Sequence, residues 1–257
     1  MKIALFSDIH ANLPALEAFF KSVENHHPDA TYCLGDLVGY NIWPNEVVNA
    51  IRKRNISTIA GNYDFGIGRM SDECGCAYKS DEEKEMGKIS ISFTNQLMNS
   101  AERNYLRTLP AHLKIEFQLN EDKLNLLLVH GSPRKINEYL FEDREEKSLL
   151  RIMEQADADI MCFGHTHKPY HRILNSLSDG KSHFRHAVNL GSVGKPKDSD
   201  PRGCYVILTI DENSSVLNDK SIGVEFIRFE YDVERAARAV EESPLPNEYA
   251  EMLRRGY

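Results

Sequence analysis

The sequence predicts an α/β fold built as one domain from two facing sheets, and three observations carry that expectation. Short apolar runs alternate with helix-spaced patterns through the first two-thirds of the chain. After Gly164 the texture changes to repeated strands. No linker rich in Gly, Pro or Ser separates the two regions, and no internal repeat is visible. A chain of 257 residues suffices for one sizeable core, or at most two small ones.

The elements follow in order. Residues 3–6 read as a buried strand. Residues 14–25 read as a helix, with Leu16, Phe19, Phe20 and Val23 on one face and Pro14 in the first turn. A strand at 31–34, a helix at 44–54 opened by Pro44, and a strand at 56–60 complete a β-α-β-α-β rhythm. Such a rhythm implies parallel strands joined by right-handed crossovers. From 65 to about 110 the pattern is polar and helical, with helices at 82–99 and 101–109 and no strong strand, a segment suited to cover a cleft. Strands at 114–119 and 124–129 flank a turn at 120–122. A helix at 144–156 and a strand at 159–163 follow. Strands at 169–174, 183–189, 204–210 and 224–231 and a helix at 233–242 end the pattern.

Composition narrows the class. Hydrophobic residues make up 41% and charged residues 27%, as in ordinary soluble proteins. Lys and Arg number 31 against 39 Asp and Glu, a formal charge of -8. That balance argues against stable nucleic-acid or anionic-membrane binding, while a small phosphorylated substrate stays open because bound cations reverse the local field. The five cysteines are odd in number and lack the spacing of a secreted disulfide framework. Cys33, Cys162 and Cys204 lie in apolar runs. Cys74 and Cys76 read as structural or redox-sensitive thiols, since no second pair completes a zinc site. Only residues 3–6 are apolar near the start, too few for a signal peptide, and no run approaches a membrane span. The expected compartment is the cytoplasm; the sequence leaves oligomeric state open.

Five polar clusters stand where strands end. They are Asp8 and His10, Gly35 and Asp36, Gly61 to Asp64, His130 and Gly131, and Gly164 to His167. The carboxyl ends of parallel strands line the ligand crevice of α/β sheets. The expected metal ligands are therefore Asp8, His10, Asp36, Asn62, His130, His165 and His167. Imidazole and oxygen donors together suit Mn, Fe, Zn or Ni. Seven side chains are too many for one ion and fit two divalent transition metals sharing a bridge, for which Asp36, central in the order, is the candidate.

These ordered blocks resemble the calcineurin-like metallophosphoesterases over roughly residues 1–200, and within them the small prokaryotic phosphodiesterases related to diadenosine polyphosphate hydrolases. The resemblance implies a four-layer α-β-β-α sandwich of two mixed sheets flanked by helices. It implies one ion on Asp8, His10, Asp36 and His167, and another on Asp36, Asn62, His130 and His165, with manganese the expected ion in vitro. The implied chemistry is in-line attack on phosphorus by a hydroxide bridging two cations. The implied activity is that of a phosphodiesterase or nucleotide phosphohydrolase. A phosphoserine or phosphothreonine phosphatase and a non-catalytic protein-binding scaffold are the alternatives.

Position 63 departs from the common family pattern, which carries His. Tyr63 either donates a hydrogen bond to a phosphoryl oxygen or only packs. Asp64 either orients a ligand or Tyr63, or caps a turn. Asn12 either touches phosphate or caps the helix from Pro14. Arg134, with Ser132 and Lys135, is the candidate substrate clamp, against a solvated surface reading. Asn189, Gly191 and Ser192 form a further loop after a strand, with support of the site or a plain turn as its readings.

Overall fold

The computed structural model describes residues 1–120, 123–178 and 181–257. One sheet has the order β10-β9-β1-β2-β3 and contains β1 (Lys2–Phe6), β2 (Ala30–Cys33), β3 (Ser57–Thr58), β9 (Gly203–Thr209) and β10 (Gly223–Phe229). The second has the order β4-β5-β6-β8-β7, from β4 (His112–Gln118), β5 (Lys123–Val129), β6 (Ile160–Phe163), β7 (Tyr170–Ser178) and β8 (Lys181–Asn189). Both sheets are mixed. β1, β2 and β3 run parallel, as do β5, β6 and β8, while β9, β10, β4 and β7 are antiparallel to their neighbours.

The period of two along each central strand explains how the layers stack. In β1, Ile3 and Leu5 join a cluster with Leu126 and Leu128 of β5 and Ile160 and Cys162 of β6, so this face meets the other sheet. Ala4 and Phe6 point the other way, against α1 (Leu13–Glu24) and α2 (Pro44–Lys53). In the second sheet Leu127, Met161, Phe163 and Ala187 turn outward onto α6 (Glu146–Gln155). Strands covered on both faces read as continuous apolar runs, which is why 3–6 and 160–163 stand out in the sequence. The arrangement is an α-β-β-α sandwich.

Three elements differ from expectation. The strand expected at 56–60 shrinks to β3, because the Ala60 N–H leaves the sheet for the Pro110 carbonyl at 2.8 Å. A helix, α3 (Asn62–Gly68), follows at once, starting inside the polar cluster at 61–64 ahead of the helical pattern expected from 65; Gly66 and Gly68 hide it from propensity. The polar segment then forms α4 (Asp81–Leu97) and α5 (Ser100–Thr108). After α7 (Val233–Glu241), a further helix α8 (Glu248–Arg255) ends at Gly256, whose φ of 68° suits glycine. It is short and follows Pro244 and Pro246, so the sequence pattern missed it. Residues 121 and 122 of the expected turn lie outside the described residues. Among those described, no helix is long and apolar enough to cross a membrane.

Candidate metal centre

The loops after β1, β2, β3, β5 and β6 meet at one edge of the sandwich. Asp8, His10, Asp36, Asn62, His130, His165 and His167 are all 3% exposed or less. Asp8, His10 and His167 form one group and Asp36, His130 and His165 another, each with its candidate ligand atoms within 4.8 Å of one another. Asp36 joins the groups: its Oδ2 is 3.6 Å from His10 Nε2 and 3.4 Å from His130 Nε2. Asn62 Oδ1 lies 3.1 Å from His130 Nε2.

The backbone is bent hard to achieve this. Asp8, His10, Asp36, His165 and His167 have φ values between 50° and 65°. Non-glycine residues rarely adopt that region, at about 1–2 kcal/mol each; such strain gathers at functional sites. Neighbouring loops hold it. Ser192 Oγ donates to the Asp8 carbonyl at 2.7 Å, and Asn189 Nδ2 donates to the Gly164 carbonyl and to Thr166 Oγ1, both at 2.9 Å. The loop after β8 therefore braces the strand-end loops.

Hydrogen bonding fixes which ring nitrogen faces inward. The Nδ1 atoms of His10, His130 and His167 lie against the carbonyls of Val38, Leu34 and Lys195 at 3.0, 2.8 and 2.5 Å. A proton donated there leaves the Nε2 of His10 and of His167 as a lone pair aimed at the centre, and turns the Nε2 of His130 toward it. Burial, and then His130, hold His165 near a pKa of about 3; burial likewise takes His10 to about 3. His130 behaves oppositely. Burial opposes its charge, but the Asp36 carboxylate raises it to about 10, and against burial His130 holds Asp36 below the carboxylate range.

This donor set fits metal ions. His10 Nε2 and His167 Nε2 stand 3.2 Å apart, and with both Nδ1 atoms protonated neither has a proton for the other. Asp8 Oδ1 and His165 Nε2 are buried without a hydrogen-bond partner. Facing lone pairs and orphaned acceptors in a buried site are costly unless a cation meets them.

The remaining candidates divide. Asp64 faces the loops rather than the centre: Oδ1 accepts from the Leu37 N–H at 2.9 Å and Oδ2 from the Gly61 N–H at 3.0 Å, tying the Asp36 and Asn62 loops together. Asn12 is the helix cap of its two readings. Its Oδ1 accepts from the Ala15 N–H, and its Nδ2 donates to the Gly194 carbonyl and Tyr231 Oη. No polar atom is left for phosphate. Arg134 is exposed, and its guanidinium grips Glu138 through both Nε and Nη2.

Tyr63 donates its backbone N–H to Asp36 Oδ1 at 2.8 Å. Its ring lies 5.5 Å from that of His10 and 4.8 Å from that of Tyr40, with the hydroxyl buried and unpartnered. Burial, then Tyr40, push that hydroxyl well above the usual phenol range, so it keeps its proton and can donate. Tyr63→Phe removes an unsatisfied group; denaturant melts should show stability equal to the parent's or up to about 1 kcal/mol higher. Turnover should fall more for poor leaving groups than for nitrophenyl esters. Equal kinetics on both would remove the hydroxyl from catalysis.

Sequence reasoning missed the contacts of four residues beside the centre. Asn62 Nδ2 donates to the Cys74 carbonyl at 2.8 Å and to Cys76 Sγ at 3.4 Å, which turns its Oδ1 toward His130. Tyr139 covers His165 with ring centres 4.1 Å apart. Lys195, 4% exposed, sits beside His10. Only the Cys-x-Cys spacing carried a signal.

Comparison with known proteins agrees with this geometry. The family model described as Calcineurin-like phosphoesterase superfamily domain matches residues 1–213. Uncharacterized protein MJ0912 of Methanocaldococcus jannaschii is 31% identical over 264 aligned positions, covering 98% of this chain and 96% of its own. A metallophosphoesterase from Sphaerobacter thermophilus superposes with a TM-score of 0.73 at 27% identity, covering 100% of this chain and 99% of that one. Hypothetical protein PH1004 from Pyrococcus horikoshii superposes at 0.75 with 22% identity, covering 100% and 98%, a likeness of fold. By the span of the family match and the identity to the M. jannaschii protein, this chain belongs to the calcineurin-like phosphoesterase superfamily.

Proposed function

We propose that this protein is a phosphoesterase with two divalent cations, acting on a small phosphodiester or nucleotide. The observation that carries the reading is the pair of ligand groups joined by one Asp36 oxygen. Asp8, His10, Asp36 and His167 would hold one ion, and Asp36, Asn62, His130 and His165 the other. When bound, such ions lower the pKa of water and polarise phosphoryl oxygens.

The chain's own residues do the rest. The carbonyls of Val38, Leu34 and Lys195 fix three imidazoles with Nε2 inward. Cys74 and Cys76 fix the Asn62 amide with its oxygen inward. Tyr63 and Tyr40 wall the His10 side, and Tyr139 the His165 side. We read 65–110 as a cap, because its residues 74–76 lie against Asn62. Ligands no more than 3% exposed favour a small substrate over a folded phosphoprotein, and the complete ligand set favours an enzyme over a scaffold.

Protein loaded with Mn, Fe, Zn or Ni is expected to hydrolyse bis(4-nitrophenyl) phosphate, and a chelator to abolish the rate. Dinucleoside polyphosphates, cyclic nucleotides and nitrophenyl phosphate screened beside it rank the substrate classes. A protein that binds no transition metal after reconstitution, by elemental analysis, would end the proposal.

A further inference from the structure

Residues 192–197 run along the metal-ligand loops and end in a lysine without a partner. Ser192 Oγ and the Gly194 N–H both donate to the Asp8 carbonyl, at 2.7 and 3.0 Å. The Lys195 carbonyl then meets His167 Nδ1 at 2.5 Å, and the Lys197 N–H donates to the His167 carbonyl at 3.4 Å. These two contacts bracket Pro196, which is buried and whose ring fixes φ, so the backbone of Lys197 is pinned beside a ligand.

The Lys197 side chain is half-buried. Among the described residues its amino group makes no hydrogen bond and no ion pair. The carboxylates next to it in sequence are engaged elsewhere, Asp198 by Arg228 and Asp200 by Arg202 at 2.7 Å. Its charge is nonetheless felt across the centre. Burial, then Lys197, hold His167 well below the usual imidazole range, and Lys197 adds to the burial and the His130 charge that lower His165. Burial lowers Lys197 itself, while Cys76, Asp8, Asp36 and Glu83 favour its ammonium form. Those neighbours come from the loops after β1, β2 and β6 and from residues 76–83, so the ammonium faces both ligand groups from one side.

An ammonium can only donate, and burying one without an acceptor is unfavourable. The two carboxylates of the centre that act on Lys197, Asp8 and Asp36, are expected metal ligands, whose lone pairs are committed to cations. The acceptor left to meet the lysine there is an oxygen of the substrate. Arg134, the other basic candidate, is held by Glu138.

We propose that Lys197 donates to a non-bridging phosphoryl oxygen of the substrate at the metal centre. The assignment rests on the phosphoesterase reading above for its part in turnover; the contact with a phosphoryl oxygen is tested separately.

The test is calorimetric titration of methylphosphonate into the whole chain reconstituted with Mn²⁺, beside hydrolysis of bis(4-nitrophenyl) phosphate. Lys197→Met is expected to weaken methylphosphonate binding by about tenfold and to lower kcat/KM by roughly 10–100-fold, the scale of a hydrogen bond to a charged group. Its Mn content by elemental analysis should equal the parent's, and its Tm should not fall, because the variant removes an unpaired, half-buried charge. Lys197→Arg should retain most of the affinity. If Lys197→Met does not fold, Lys197→Gln takes its place in the same comparison. Methylphosphonate affinity within about twofold of the parent in the uncharged variant overturns the assignment. So does an affinity loss matched by loss of Mn or by a lower Tm, which would make Lys197 a brace for the His167 loop. Hydrolysis by a parent whose methylphosphonate binding ignores Lys197 removes this assignment alone. Lys197-dependent binding without hydrolysis by the parent removes the phosphoesterase reading and supports the phosphoryl contact.

Discussion

Asp36→Asn is expected to lower metal-dependent kcat/KM by roughly 10³-fold or more while leaving the far-UV circular dichroism of the protein unchanged. Asp36 Oδ2 is the atom that faces both ligand groups, 3.6 Å from His10 Nε2 and 3.4 Å from His130 Nε2. Its Oδ1 is already occupied by the Tyr63 N–H at 2.8 Å. Asparagine has one acceptor where aspartate has two. If the amide oxygen keeps the Tyr63 bond, an NH₂ donor faces the centre where an anion is needed. If the amide flips, the Tyr63 N–H is orphaned in a buried loop. Either way the anionic bridge is lost. Cations at such a site contribute several kcal/mol to the reaction, and each 1.36 kcal/mol is about tenfold in rate, which sets the scale. Elemental analysis should show the bound metal falling below that of the parent. Retention of parental metal content, with a rate within tenfold of the parent, would take the bridging role from Asp36.

The centre was legible because its chemistry requires particular residue types where strands end. A buried apolar run followed directly by Asp-x-His, Gly-Asp or Gly-His-x-His has few other uses, and the sheet order brings all five loops to one edge. The sandwich was legible for a related reason: strands covered on both faces leave continuous apolar runs. What stayed hidden depends on partners rather than residue types. The pairing of Arg134 stayed hidden because sequence shows a charge but not its counter-ion, although Glu138, four residues on, stood within reach. Asn12 had two uses, and only the geometry shows all its polar atoms taken by the fold. The burial of Lys195 was hidden because it depends on Tyr249 and Met252 of α8, and α8 itself was obscured by the prolines before it. Asn62 was legible as a ligand, but not as the opening of a helix, because the glycines of that helix suggest none.

The glycines beside the ligands make the second large expectation, Gly61→Ala, one about shape. The loops after β2 and β3 pack backbone to backbone. A Cβ at Gly61 would stand 2.1 Å from Asp36 Oδ1 and 2.2 Å from the Asp36 nitrogen, and a Cβ at Gly35 would stand 2.1 Å from the Gly61 nitrogen. No rotamer relieves a clash made by Cβ itself. One loop must move, and the Asp64 carboxylate resists because it bonds both the Leu37 and Gly61 N–H groups. Overpacking typically costs about 1–3 kcal/mol and occasionally more; with backbone on one side of the contact and two buried hydrogen bonds at risk, about 3 kcal/mol or more is expected. For a chain of this size that is a fall in Tm of roughly 6–12 °C. The protein that remains folded should lose metal binding as well, because the displaced atoms are those of Asp36. The contrast with Asp36→Asn is diagnostic: that variant should lose metal with little change in Tm, whereas Gly61→Ala should lose both together. A Gly61→Ala protein with parental Tm and parental metal content would show that the two loops do not pack this closely in solution.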